Sequence, residues 1–462
     1  MADGVSRQPG PLEIPGDLLE RYSTSGPRYT SYPTVPQFRA DFDRERVLEA
    51  WKHSQGRGLA LYVHVPFCRT RCLYCACFTE TGHGQETAGF YLQAVLREAE
   101  RLLTIIEPSR PVEQLAIGGG TPNFLRRDQM RFLVEGLAAR FRLSAGGERS
   151  IEIDPRRVDG AYLDLLLELG FNRFSFGVQD LDERVQRHIG RVLPESKLAG
   201  LIEHLKKRGV GAVNLDLMYG LPGQTEASFS RTVEHAVRLR PSRLALFGYA
   251  HVPWMSPHQR LLERLGLPAA RERARLFGLA YRLLLDAGYA HVGMDHFALP
   301  DDELVRALEN RTLTRNFMGY SPRRGLDLVG IGASSISSVG GTYTQNGKDL
   351  HAYLRKAGDS AWARGLLLSG EDLLRREIIL DLFCNFHLDI RAFERRFKIR
   401  FAQHFAPELE RLAPMEQDGL VRVSGNAIEA TALGRFFIRN LCMCFDQYLC
   451  GREAANRYSL TV

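Results

Sequence analysis

The chain has 462 residues, 44% hydrophobic and 25% charged, which at about 150 residues per domain makes two to four folding units and excludes a peptide, a fibre or a disordered chain. Its 61 basic and 54 acidic residues leave +7, an excess that suits an anionic small molecule as well as nucleic acid and selects neither. No basic segment followed by an apolar one opens the sequence, and no run of eighteen uncharged apolar residues follows, so it reads as cytoplasmic with no membrane span.

Residues 1–55 carry Pro9, Pro11, Pro15, Pro27, Pro33 and Pro36 around one short apolar pattern at 17–22, the composition of an extended N-terminal arm. From 56 to 364 short apolar runs alternate with helical patterns. Strands are expected at 59–65, 114–117, 150–153, 173–176, 212–217, 243–247 and 291–294, and helices at stretches such as 90–103, 162–169, 198–208 and 271–287. Such alternation means parallel strands with right-handed crossovers, an α/β fold centred on a partial (β/α) barrel. The residues just after each strand then face the barrel mouth: Cys68, the stretch 118–122, Asp154, and Gln179 with Asp180. From 365 to 462 the alternation gives way to helical patterns at 372–382 and 389–397, a hairpin at 419–430 and a last helix at 433–449. This predicts a helical, winged-helix-like C-terminal domain. No basic stripe with interleaved aromatics accompanies it, so no nucleic-acid partner is expected.

Eight cysteines are too few for a disulfide scaffold at this length, and Cys68, Cys72, Cys75 and Cys77 crowd together. Gaps of three and two residues within CRTRCLYC let one loop wrap three irons of a 4Fe-4S cluster and leave the fourth iron open for chemistry. A zinc knuckle would need a second Cys or His half, which does not follow. Tyr74 directly precedes the third ligand, where its ring can shield a cluster. Gly118, Gly119 and Gly120 before Thr121 let backbone approach a ligand; alone they fit a tight turn equally well, but one strand after an open-iron cluster they suit the amino group of S-adenosylmethionine. Cys384, Cys442, Cys444 and Cys450 read as packed thiols, and the Cys442–Cys444 spacing is awkward for a second cluster.

The CRTRCLYC loop with GGGTP is the radical S-adenosylmethionine pattern, and the whole chain resembles the oxygen-independent coproporphyrinogen III oxidases. The matching segments include SGPRYTSYPT, LYVHVPFC, SIEIDPR, GFNRFSFGVQD, NLDLMYGLPGQT, YAHVP, GMDHFALPDDEL, RNFMGY, GIGASSIS, YTQN and IRNLCMCFDQYL, in order from about residue 20 to 450. The resemblance implies Cys68, Cys72 and Cys75 on iron, with Cys77 required but not a ligand. It implies Tyr62, Gly119, Glu152 and Ile336 around one S-adenosylmethionine, and Tyr74, Gly120, Thr121, Gln179, Arg191, Asp216 and Ala250 around a second. Cys77, Tyr62 and Arg28 are the expected catalytic residues, and His296 and Arg315 are candidates for the substrate cleft.

The implied reaction uses a 5′-deoxyadenosyl radical to convert two propionates of coproporphyrinogen III to vinyl groups, giving protoporphyrinogen IX. The implied donor is a flavodoxin or ferredoxin, and the expected state is a monomer. In this reading the proline-rich arm covers the barrel mouth, with Arg28 meeting a propionate and Tyr29 and Tyr32 packing on tetrapyrrole or cofactor. Rival readings are a radical enzyme that transfers a methyl group to a heteroaromatic or haem-like acceptor, a haem chaperone, and an electron carrier. The arm and the C-terminal IRNLCMCFDQYL oppose the first, Ala76 and Cys77 after the third ligand oppose the second, and the carrier would need four cysteine ligands and no glycine loop.

Overall fold

Residues 58–65 are apolar at nearly every position and form β1 (Gly58–Val65), buried almost throughout as strands covered on both faces are. β2 (Val112–Gly119), β3 (Leu143–Ile153) and β4 (Arg173–Gln179) follow, each parallel to the one before, and β5 (Val213–Tyr219) lies beside β4. The intervening helices present apolar residues every three or four positions. In Gln85–Leu102 the buried set includes Ala88, Tyr91, Val95, Ala99 and Leu102. Asp159 caps Gly160–Glu168 by accepting from the Tyr162 amide, which fixes where that helix begins. The register sets Tyr62 opposite Ala116 and Val65 opposite Gly119, Ile117 opposite Ile151 and Glu152 opposite Ser175. The strand ends are therefore level, and the residues beyond them gather at one edge.

The structure is a computed structural model that describes residues 14–54, 56, 58–357, 359–449 and 458–461. Two units cut across the expected division into arm, barrel and C-terminal domain: Gln37–Asp216 with Gly325–Leu368, and Met1–Pro36 with Leu217–Arg324 and Ser369–Val462. In the second unit β6 (Arg243–Gly248) pairs antiparallel with β8 (His296–Ala298), which pairs antiparallel with β7 (Ala290–Val292). The single strand expected at 291–294 is thus a hairpin, turned at Gly293 with φ +63°. A second hairpin joins β9 (Thr314–Asn316) to β10 (Gly319–Ser321).

The chain then re-enters the first unit. β11 (Leu326–Ile331) lies parallel to β1, with Gly58 opposite Leu326 and Tyr62 opposite Gly330. β12 (Ile336–Val339), β13 (Thr342–Asn346) and β14 (Trp362–Leu367) extend that edge antiparallel. Gly340 and Gly341, with φ +56° and +74°, make the two-residue turn between β12 and β13. The helix Arg44–Lys52, inside the stretch expected to be an arm, packs here: the Trp51 indole donates to Thr342 Oγ1 at 3.1 Å and tilts against Trp362.

The C-terminal segment is helical around a small antiparallel sheet. Gly370–Asn385, Ile390–Phe397 and Ala406–Gln417 surround β15 (His387–Asp389), β16 (Val421–Val423) and β17 (Ala427–Ala430), ordered β15-β17-β16. The expected last helix breaks into Ala432–Phe436 and Ile438–Met443. Cys384, Cys442 and Cys444 are buried there, while Cys450 lies outside the described residues.

The described part of the proline-rich segment is core of the second unit. Tyr29 and Tyr32 are each 1% exposed, the Tyr29 hydroxyl donates to Asp446 at 3.0 Å, and Arg439 donates to the carbonyls of Pro27, at 2.9 Å, and Gly26. The Gly26 and Thr461 amides pair with the carbonyls of Ser459 and Thr24 at 3.1 and 2.7 Å. Neither tyrosine can therefore pack on a tetrapyrrole or cofactor as expected. A segment unable to build its own core joins another one instead. Among the described residues no helix is long and apolar enough to cross a membrane.

Candidate active site

The loop leaving β1 is closed at its base by backbone pairing. The Cys68 amide donates to the Glu80 carbonyl and the Glu80 amide to the Pro66 carbonyl, both at 2.8 Å. Phe67, fully buried, stacks on Phe124 and meets Tyr91 edge-on, which anchors the loop to the helical layer. Inside the loop Arg71 donates to the Thr79 carbonyl at 2.6 Å, and the Cys75 amide closes a turn on the Cys72 carbonyl at 3.1 Å. Cys68, Cys72 and Cys75 are thus held on one braced loop.

The glycine run is stitched to this loop. Gly120 donates to the Val65 carbonyl at 2.8 Å and Thr121 to the Phe67 carbonyl at 3.0 Å, while Thr121 Oγ1 lies 3.3 Å from Cys68 Sγ. Gly119 has φ +112°, and a Cβ on it would meet the His64 ring at 2.6–2.8 Å. A Cβ on Gly120 would fall 3.0 Å from the Phe67 carbonyl oxygen and nearer still to Pro66. Both glycines are therefore required by the fold itself, whatever ligand they meet.

Positive charge stands beside the thiols. Arg191 Nη1 and Arg156 Nη2 lie 3.6 and 3.8 Å from Cys72 Sγ, and both arginines are fixed by Asp154, with Arg156 forked on it at 2.7–3.2 Å. Arg191 also donates to the Gly177 carbonyl at 2.6 and 3.0 Å. The Cys75 thiol is held below its usual range, mainly by a hydrogen bond from Cys77 and then by Arg71 and Arg191, against the effect of burial. Burial pushes the Cys68 thiol up to about 11 although Thr121 opposes it. Cys77 itself is exposed.

Around this centre β1 supplies Tyr62, whose hydroxyl meets His64 Nδ1 at 3.2 Å; His64 Nε2 meets the Phe78 carbonyl at 3.1 Å, and burial keeps the ring neutral. The end of β3 supplies Glu152, which accepts from the Gly119 amide at 3.1 Å. Partial loss of solvation, and then the Asp216 carboxylate, push its pKa up. Asp216 on β5 accepts from Asn214 at 2.8 Å and from Ser175 at 3.3 Å. Gln179 ends β4 with φ +72°, and its buried Oε1 has no protein partner. A strained residue with an unsatisfied buried acceptor at a strand end is aimed at a ligand. Ile336 reaches the same place indirectly: its backbone passes so close to Gly330 that a Cβ there would lie 2.5–2.9 Å away, and Gly330 is the register partner of Tyr62.

The first unit contains Tyr62, Cys68, Cys72, Tyr74, Cys75, Cys77, Gly119, Gly120, Thr121, Glu152, Gln179, Arg191, Asp216 and Ile336. Ala250 and Arg28 belong to the second. There His296 Nδ1 meets Asp295 Oδ1 at 2.7 Å, and Arg315 lies 3.7 Å from Asp295 and stacks over Tyr320. The sequence reading missed Arg156, Asn214 and Ser175. Only the Asp154 that follows β3 hinted at the first, because its partners come from other loops. The residues fit a 4Fe-4S cluster and S-adenosylmethionine: three thiols on one braced loop, guanidinium groups beside them, an unsatisfied Gln179 oxygen and carboxylates on β3 and β5.

The Radical SAM superfamily profile matches residues 62–236 and the HemN C-terminal domain profile residues 368–437, so the class is a radical S-adenosylmethionine enzyme with that C-terminal domain. The oxygen-independent coproporphyrinogen III oxidase of Escherichia coli K12 is 41% identical over 448 residues, 96% of this chain and 98% of its own, and that of Pseudomonas aeruginosa 42% over 442 residues, 94% and 95%. The solved structure of coproporphyrinogen III oxidase (HemN) from Escherichia coli, described as a radical SAM enzyme, superposes with a TM-score of 0.90 at 39% identity, covering 95% of this chain and all of that one. The chain belongs to the oxygen-independent coproporphyrinogen III oxidase family. Its fold is the partial (β/α) barrel of radical enzymes with a helical C-terminal domain, and it is an oxidoreductase using a 4Fe-4S cluster and S-adenosylmethionine. The methyl-transfer and haem-chaperone readings are not favoured.

Proposed function

We propose that this chain oxidatively decarboxylates two propionates of coproporphyrinogen III to vinyl groups, giving protoporphyrinogen IX without oxygen. The observation that carries this is the braced three-thiol loop, stitched to a glycine run and flanked by Arg156 and Arg191, in a chain matched end to end by relatives of that name. When bound, the cluster and S-adenosylmethionine supply a 5′-deoxyadenosyl radical that takes hydrogen from a propionate β-carbon, after which CO2 and one electron leave.

The chain's own residues do the rest. Cys68, Cys72 and Cys75 hold iron, and Arg156 and Arg191 offset the charge on the Cys72 sulfur. Tyr62, Gly119, Glu152 and Ile336 line one S-adenosylmethionine. Tyr74, Gly120, Thr121, Gln179, Arg191, Asp216 and Ala250 serve a second. Glu152 and Asp216 are placed to accept from ribose hydroxyls, and Gln179 Oε1 from an amino group. Cys77 and Arg28 act on the substrate side. A reduced flavodoxin or ferredoxin supplies the electron to a monomeric enzyme in the cytoplasm.

Anaerobic incubation of reconstituted protein with coproporphyrinogen III, S-adenosylmethionine and a reductant tests the proposal, with released CO2 counted and the oxidised products separated by fluorescence. Two CO2 per protoporphyrin formed is expected. Consumption of S-adenosylmethionine with no CO2 would overturn it.

A further inference from the structure

The second unit holds a cleft that the radical chemistry leaves unexplained. A narrow cavity of about 30 Å³ is lined by Arg28, Arg273 and Arg439, with Tyr219, Asp295 and Phe277 among the remaining walls. The three guanidinium groups come from the proline-rich segment, from the helix Ala270–Asp286 and from the helix Ile438–Met443. None has a carboxylate within ion-pair distance among the described residues; each is held by backbone carbonyls. Arg439, 4% exposed, donates to Pro27 and Leu460 at 2.9 and 2.8 Å and to Gly26. Arg28 donates to Gly248 at 2.5 Å and Arg273 to Tyr249 at 3.1 Å. Arg28 Nε and Arg273 Nε are buried with no partner at all.

The one carboxylate in the lining is shared, because Asp295 Oδ1 serves His296 and Arg315 while its Oδ2 is buried without a hydrogen-bond partner. Three enclosed cations therefore face a single shared anion. Enclosing like charges is costly unless a counter-charge arrives. Burial, and then the proximity of Arg28 and Arg273, drag the Arg439 pKa down to about 9, which is the same strain seen from the proton's side.

We infer that this cleft takes the carboxylate of a short alkyl arm, a propionate of the tetrapyrrole substrate, on Arg28 and Arg273, with Arg439 adding charge from behind. This rests on the proposed function. Phe277 offers an apolar wall to the methylenes, and the two free Nε–H groups are the donors a carboxylate needs. The same chemistry would admit the amino-acid carboxylate of S-adenosylmethionine, so the test separates the two.

Arg273→Gln and Arg273→Lys are compared with the parent protein, cluster assembled, by fluorescence titration with coproporphyrin III, with coproporphyrin III tetramethyl ester and, by equilibrium dialysis, with S-adenosylmethionine. Arg28→Gln, which removes one backbone hydrogen bond, is the second variant should Arg273→Gln fail to fold. Coproporphyrin III affinity should fall at least tenfold in the Gln variants and recover partly in Arg273→Lys, with ester and S-adenosylmethionine binding unchanged. In turnover, substrate KM should rise more than kcat falls. Unchanged coproporphyrin III affinity in the folded Gln variants, or a loss confined to S-adenosylmethionine, overturns the inference. Failure of the parent protein to bind coproporphyrin III overturns the functional reading beneath it.

Discussion

Replacing Gly120 by alanine puts one methyl group where β1 and β2 end together. The new Cβ would lie 2.6 Å from the Pro66 carbonyl carbon, closer still to its oxygen, and 3.0 Å from the Phe67 carbonyl oxygen, against about 3.4 Å for ordinary contact, so the two segments must part by roughly 1 Å. The atoms struck are backbone, pinned by the 2.8 and 3.0 Å bonds from Gly120 to Val65 and from Thr121 to Phe67. No side chain can swing aside to relieve them. Overpacking of this kind costs about 2–3 kcal/mol, and Cys68 is the next residue but one after Pro66. The variant should therefore unfold at lower temperature and also hold less iron, since a ligand displaced by that much no longer fits its site. If the glycine run served only to let backbone reach a cofactor, the loss would instead be of S-adenosylmethionine binding in an intact fold. Thermal unfolding of the apo-protein and iron per chain after anaerobic reconstitution decide between them. A variant that keeps the parental midpoint and iron content and loses only S-adenosylmethionine affinity would refute the packing argument.

The remaining predictions concern single side chains. Cys68→Ser, Cys72→Ser and Cys75→Ser should each abolish the 4Fe-4S absorption and EPR signals, whereas Cys77→Ser, altering an exposed thiol, should keep iron and lose turnover; loss of iron from it would make Cys77 a ligand. Tyr29→Ala should destabilise the second unit by about 3–5 kcal/mol by emptying a fully buried ring site, read from urea midpoints, and a shift under 1 kcal/mol would return that segment to the surface. Glu98 is buried and accepts from Tyr353, Gly332 and Asn346 at 2.6–2.8 Å, yet burial still raises its pKa to about 7 from 4.5. Its folded pKa exceeds its unfolded one, so its stabilisation is whole below about pH 4.5 and is lost as pH rises through 7. That amounts to about 3 kcal/mol. The urea midpoint of Glu98→Gln should vary less between pH 5 and 8 than that of the parent, and equal slopes would contradict the assignment.

Much of the proposed cluster loop was legible because it is nearly one-dimensional. Cys68, Cys72 and Cys75 sit on one loop, and their gaps of three and two residues suit three irons of a cluster whatever the rest of the chain does. The run of parallel strands was legible for a related reason, since apolar segments such as 58–65 carry their burial in their composition. The edge formed by β12, β13 and β14 was not, although Gly340 and Gly341 marked its turn, because short strands with mixed polarity take their form from their neighbours.

Tertiary structure alone decided how distant charges meet. Asp154 binds Arg156 beside it and Arg191 from another loop, and both arginines then reach Cys72. Arg28, Arg273 and Arg439 share one cleft although more than 160 residues separate each from the next. An arginine is a solvated surface charge by default, and only packing that removes water and withholds a carboxylate turns it into a site. The proline-rich segment follows the same logic. Its composition announced that it could not form a core of its own, but that Tyr29 and Tyr32 would complete another one depended on which buried surfaces lay within reach.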